Sequence, residues 1–253
     1  MLTAEDPSSL RGLRVLISGG TTGIGRATAA RLVENGAKVL IVGRHQEDLD
    51  KALETLREAA AEGGEAHGLT GDQSERADVS RVFEEADAKL GGLDVYIGAA
   101  AVSAKPLGEI EPDDIEYAVR TNVTGYIYGA HEALTRFRKA GKGQIVLIGS
   151  MSADLREGSA EVYVATKAAN QAFAESLRKS VSEEGIRVSI VEPGKVSTDL
   201  ASEYMSEDDQ KAKIESGEFL KAEDLAAAIL YILVQPERAV VTDLRIRPLK
   251  QAI

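Results

Sequence analysis

Tyr163 and Lys167 stand four positions apart in "YVATK", and no other tyrosine of the seven in the chain has a lysine at that spacing. On a helix, positions i and i+4 share a face, so a phenol and an ammonium could occupy one site. A free phenol titrates at about 10, too high for a base at neutral pH. A cation beside it favours the phenolate and turns the pair into a proton donor and acceptor. Taken alone, the spacing also describes an exposed helical pair. Upstream, "QIVLIGS" ends at Ser150, where an apolar run stops. If that run is a central strand, the hydroxyl faces the crevice where open α/β sheets bind ligands. It could there donate to a substrate carbonyl that Tyr163 protonates. The plainer alternative for Ser150 is a turn or cap residue.

A second group lies near the start. In "VLISGGTTGIGRATAARL", Val15 to Leu32, Gly19, Gly23 and Gly25 separate an apolar run from a helical pattern. Glycine lets backbone approach a phosphate without an intervening Cβ. A helix beginning near Gly23 offers free N–H groups and partial positive charge to a pyrophosphate. The alternative is a tight structural turn. Sites that select NAD place Asp or Glu about 20 residues beyond the glycines, on the ribose 2′-hydroxyl. Here the second apolar run ends in Gly43 and Arg44. A guanidinium pairs with a 2′-phosphate, and a charge-assisted bond favours NADP over NAD by about 10- to 100-fold. Otherwise Arg44 offsets the surface charge of Glu47 and Asp48.

These groups need a frame that gathers them. The expected strands are 14–18, 38–43, 65–70, 93–98, 144–148, 187–192 and 239–246, most of them continuously apolar, as in a parallel sheet covered on both faces. Helical patterns such as 46–62 and 75–89 alternate with them. Glycines 36, 63, 91, 141 and 185 mark helix ends. The alternation predicts an α/β fold of doubly wound, Rossmann type: seven parallel strands with helices on both faces. An eight-fold barrel lacks its eighth strand–helix unit. Residues 1–253 are expected to form a single dinucleotide-binding and catalytic domain, with residues 1–9 a flexible tail. The charged, non-strand stretch 195–217 is either a substrate lid or a surface loop.

With these motifs in this order, residues 10–250 resemble the short-chain dehydrogenase/reductase family in its shorter branch. The family's T-G-x-x-x-G-x-G appears as Ser18-Gly19 to Gly23-Ile24-Gly25, with serine for threonine. Its adenine-contacting aspartate corresponds to Asp72, its helix-borne asparagine to Asn122, and its catalytic Ser, Tyr and Lys to Ser150, Tyr163 and Lys167. Its Pro-Gly motif is Pro193-Gly194, followed by Val196 and Thr198. The resemblance implies cofactor contacts from Gly19, Thr21, Gly23, Ile24, Gly25, Arg44, Asp72, Asn122, Tyr163, Lys167, Pro193, Gly194, Val196 and Thr198. It implies hydride transfer between NADP(H) and a carbonyl or secondary alcohol, with Tyr163 moving the proton. Ser150 would orient the carbonyl, and Asn122 would help hold a water linking Lys167 to solvent. One motif departs: the family's Asn-Asn-Ala-Gly is "GAAA" here, Gly98 to Ala101.

Composition sets outer limits. The net charge of −11 and a pI near 4.9 have the wrong sign for general nucleic-acid binding. No cysteine is present, so thiolate metal sites and disulfides are excluded, and His45, His67 and His131 are scattered, as surface or loop residues. No apolar run approaches the roughly 18 residues of a membrane span, and no signal segment is visible, which predicts a cytoplasmic protein. The expected partner is a small-molecule carbonyl or alcohol held between residues 151–162, the loop 101–106 and the lid. The family implies a homodimer or homotetramer through the helix bearing Tyr163, although Ala168, Ala169, Ala172 and Phe173 could equally pack on their own sheet. A competing reading is a non-catalytic dinucleotide-binding sensor or regulatory subunit, for which "GAAA" is the supporting feature.

Overall fold

A computed structural model of the chain describes residues 10–202 and 205–251. The expected tail, residues 1–9, and the lid residue Glu203 lie outside the described residues. Seven strands form one parallel sheet in the order β3-β2-β1-β4-β5-β6-β7: β1 Arg14–Ser18, β2 Lys38–Gly43, β3 Glu65–Thr70, β4 Val95–Gly98, β5 Gly143–Ile148, β6 Ile186–Pro193 and β7 Asp243–Ile246. The order reverses between β1 and β4, so the crevice of this doubly wound sheet opens at their carboxyl ends.

Successive strand residues face opposite sides, and each face carries its own core. Val15, Ile17, Val39 and Ile41 pack under α1 (Gly23–Glu34) and α2 (Gln46–Ala59), and farther along the chain α10 (Ala222–Leu233) completes this layer. Leu16, Leu40 and Tyr96 face α3 (Arg76–Leu90), α5 (Gly125–Ala140) and α7 (Glu161–Val181). Between them run α4 (Pro112–Val119), which leads through a π turn, Arg120–Thr124, into α5, and the short α6 (Ser152–Leu155) after β5. Gly91 and Gly141 end α3 and α5 in left-handed conformation, as their type allows.

The helix pattern at 46–62 stops at Ala59 because Ala60 is extended and Ala61 N donates to Val33 O. The last strand forms only at 243–246. The chain leaving α10 turns at Pro236, where Ala239 N donates to Pro236 O, and meets β6 only where Asp243 aligns with Ile190. The stretch expected to be irregular, 195–217, is substantially helical, with α8 at Asp199–Ser202 and α9 at Glu207–Glu215. Ser206 caps α9 by accepting from Asp209 N, the local signal that its many charges obscured. His67 is half-buried in β3 beside Glu65, not a loop residue, whereas His45 and His131 are exposed.

Candidate active site

The turn after β1 is built to exclude side chains. Gly19 has φ +68°, and a Cβ there would lie 2.5 Å from the backbone nitrogen of Ala100; a Cβ on Gly25 would overlap the Gly19 carbonyl. The turn at Gly19 therefore packs on the loop after β4 and the start of α1 packs on that turn, with Thr22 extended at the helix N-cap and without a side-chain cap. Gly23, Ile24 and Gly25, whose amides begin the helix, line a cavity of about 960 Å³ at the carboxyl ends of the strands. One of these amides is already engaged: Gly23 N donates to Asp199 Oδ2 at 3.2 Å.

Farther along the cavity lie Ser150, Tyr163 and Lys167. Ser150 is 9 % exposed and its Oγ accepts from Ser152 N at 3.1 Å, so the turn role is real, and its O–H remains a donor. Lys167 is 1 % exposed. Its Nζ donates to Ile148 O at 2.9 Å and lies 5.6 Å from the Tyr163 ring centroid and 5.4 Å from that of Tyr126. Among the described residues no carboxylate pairs with it. Burial pushes its pKa down to about 8. Tyr126, which no sequence signal singled out, donates to the same Ile148 carbonyl at 3.2 Å, and burial holds its pKa well above the usual value.

Asn122 sits behind this arrangement, in the π turn. Its Oδ1 accepts from Val102 N at 2.9 Å, and its Nδ2 donates to Val102 O and to Thr166 Oγ1, whose hydroxyl in turn donates to Tyr163 O. The side-chain amide thereby ties the loop after β4 to the helix carrying Tyr163 and Lys167. It is fully buried and, unlike the other expected site residues, does not line the cavity.

The adenosine end is equally organised. Asp72 accepts from Ser74 N on one carboxylate oxygen and from Tyr117 OH on the other, at 2.8 and 3.0 Å. Arg44 Nη1 donates to the same phenol oxygen at 2.6 Å. The alternative partner Glu47 pairs instead with Lys51. Where the family's asparagines are missing, Gln73 Nε2 reaches Ala100 O and Thr121 O at 3.4 and 2.9 Å, bracing the "GAAA" loop from beyond β3. Gln73 was not anticipated; its place beside Asp72 was the available signal. Pro193 O accepts from Met151 N and Gly194 N donates to Ile246 O, which fixes the rim from which Val196 and Thr198 project. Of the expected lid, residues 195–201 except Ser197 line the cavity; α9 does not, and Gln251 lines it unannounced.

The glycine corner and the Ser150–Tyr163–Lys167 group line one cavity, the shared space that a dinucleotide and its substrate would need. A family model described as short chain dehydrogenase matches residues 14–209. Oxidoreductase asL5 of Sarocladium schorii is 37 % identical over 203 residues, 80 % of this chain and 79 % of that one. An uncharacterised oxidoreductase of Staphylococcus aureus is 29 % identical over 234 residues, 92 % of this chain and 96 % of its own. Among solved structures, the 3-ketoacyl-(acyl-carrier-protein) reductase of Brucella melitensis complexed with NADH superposes with a TM-score of 0.83 at 26 % identity, covering 94 % of this chain and 98 % of the other. Actinorhodin polyketide ketoreductase with NADPH superposes with 0.83 at 25 %, covering 93 % and 96 %. Sequence, fold and site geometry converge: the chain is an oxidoreductase of the short-chain dehydrogenase family.

Proposed function

We propose that this protein transfers hydride between NADP(H) and a carbonyl or secondary alcohol, with Tyr163 moving the proton. The observation that carries the reading is Lys167: a buried lysine with no carboxylate partner among the described residues, over the ring of Tyr163 and in a cavity shared with Ser150 and the glycine corner. A bound nicotinamide would supply or accept the hydride. Ser150 O–H hydrogen-bonds the substrate oxygen and orients it. Tyr163 Oη gives that oxygen a proton in reduction and takes one in oxidation. Lys167, charged below about pH 8, favours the phenolate by its proximity. Asn122 keeps the tyrosine helix and the loop at 102 in register.

NADP is preferred in this reading because Arg44, at the end of β2, presents a guanidinium where NAD-selective sites place a carboxylate. The relatives solved with NADH and with NADPH span both cofactors, so the charge at position 44 carries the choice. The 195–201 segment serves as the substrate-side rim. A dimer or tetramer is consistent with the exposed Val119 and Ile127 on α4 and α5, whereas Phe173 packs on its own sheet.

The test is a paired fluorescence titration with NADPH and NADH, followed by a carbonyl screen with the preferred cofactor. Binding of NADPH about 10- to 100-fold tighter, with turnover of a carbonyl substrate, is the expected result. Tighter NADH binding would overturn the role of Arg44 and leave the chemistry standing. Failure to bind either would sink the dinucleotide reading.

A further inference from the structure

Arg44 is exposed, and an exposed arginine ordinarily samples many rotamers. Here it does not stand alone. Tyr117, in α4, reaches the carboxyl ends of β2 and β3, and its hydroxyl joins the two segments that leave those strands. It accepts from Arg44 Nη1 at 2.6 Å and donates to Asp72 Oδ2 at 3.0 Å. The guanidinium carbon lies 5.7 Å from the centroid of the Tyr117 ring. Asp72 is itself held by the Ser74 amide on its other oxygen, so the chain of contacts ends on fixed backbone.

The polarity of this chain of contacts matters. The phenol's one proton is committed to a carboxylate, which turns its lone pairs toward the arginine. Arg44 is thus held by a neutral oxygen. Among the described residues no carboxylate ion-pairs with it, and Asp72 stands one residue further back. Had Asp or Glu occupied position 117, the arginine would be equally well placed but already neutralised. A tyrosine fixes the cation and leaves its charge available.

We infer that Tyr117 is a positioning residue for cofactor selection: it pre-orders Arg44 toward a phosphate on the adenosine 2′-oxygen, without neutralising its charge. The inference rests on the role proposed for Arg44 and adds how that role is executed. Ordering a long side chain before binding removes an entropy cost from the binding step; releasing the arginine should weaken recognition of the 2′-phosphate by about 3- to 10-fold. Binding of an adenosine that lacks the phosphate should be unaffected.

The experiment measures calorimetric Kd values for adenosine 2′,5′-bisphosphate and adenosine 5′-monophosphate, so it requires no turnover. The proteins are the native chain, Tyr117→Phe, Arg44→Gln and the double variant. Expected is a bisphosphate preference that falls several-fold in Tyr117→Phe, with monophosphate affinity unchanged, and no further fall when Phe is added to Arg44→Gln. Equal weakening of both ligands in Tyr117→Phe would make Tyr117 merely structural. An equal effect in both backgrounds would mean that it acts independently of Arg44. A preference that rises in Tyr117→Phe would mean that the contact blocks the arginine. Any of these three overturns the inference while Arg44 keeps its role, provided Arg44→Gln itself loses the preference. If Arg44→Gln leaves the preference intact, the reading of Arg44 fails and the role of Tyr117 with it.

Discussion

Burying Lys167 is costly, and its neighbours show how that cost is contained. One carbonyl, Ile148 O, accepts a hydrogen bond from its Nζ, and two aromatic rings lie within 6 Å of its charge. Among the described residues no acid cancels it, so the ammonium remains available to the phenol beside it. The depressed pKa has a stability consequence with a definite sign. The folded protein releases the Lys167 proton near pH 8 and the unfolded chain near 10.5, so the unfolded state binds more protons between these values. Stability therefore rises with pH across that window, and Lys167→Met should abolish this part of the slope in denaturant midpoints recorded from about pH 7.5 to about pH 10. For the chemistry, Tyr163→Phe is expected to lower turnover by about 10²- to 10⁴-fold while dinucleotide binding survives. Full activity in that variant would remove the proton-transfer role.

Helix α1 shows how an element makes a site out of backbone. Gly19 matters because the strand-to-helix corner meets the loop after β4 backbone to backbone, and Gly25 because the start of the helix meets the Gly19 carbonyl. Gly25→Ala puts a methyl group into the Gly19 carbonyl, and should destabilise the fold by about 1–3 kcal/mol and lose dinucleotide binding. Gly108→Ala, where a Cβ meets nothing within 4 Å, is the matched control and should change stability by less than about 0.5 kcal/mol. The same helix start is engaged by α8 through Asp199, whose carboxylate takes the Gly23 amide that an anion could use. Asp199→Asn should tighten dinucleotide binding by about 2- to 5-fold, the range of a charge at a helix terminus. Unchanged or weaker binding would show that the carboxylate lies outside the anion's seat.

Across the whole molecule, Glu192 links the site to the edge of the sheet. It is fully buried in β6 just before Pro193, accepts from Arg245 Nε at 3.0 Å, and leaves Oε1 without a partner among the described residues. Arg245 on β7 also reaches Asp154 on α6 at 2.8 Å, so one arginine ties β6, β7 and the segment after Ser150 together. Burial raises the Glu192 pKa to about 7 from 4.5. The folded state therefore keeps a proton that the unfolded chain has lost, and stability falls as pH rises from about 4.5 to about 7. Glu192→Gln should flatten that fall, which comparison of unfolding midpoints at about pH 5 and about pH 8 would reveal; an unaltered slope would mean that the carboxylate ionises normally.

The strands and the glycine corner were readable because their signals are local. A buried parallel strand must be apolar along its length, and a backbone that approaches another backbone admits only glycine. That Ser150, Tyr163 and Lys167 share one cavity was readable because strand end and helical spacing each place a side chain. The place of Arg44 at the end of β2 was readable by its offset from the glycines. What stayed hidden is what distant segments do on meeting. Tyr117 looks like any exposed tyrosine until α4 crosses the ends of β2 and β3. Gln73 bracing the "GAAA" loop, Tyr126 sharing the Ile148 carbonyl, Asp199 on the Gly23 amide and Glu192 under Arg245 all join residues far apart in sequence. The helices at 199–202 and 207–215 escaped because charged, weakly patterned residues carry no hydrophobic period to read. The sequence by itself thus determined the strands and helices that carry a hydrophobic period and which groups could react. Only the tertiary structure decided which of those groups are dehydrated, held or left charged, because burial and hydrogen-bond partnership are properties of packed neighbours rather than of residue order.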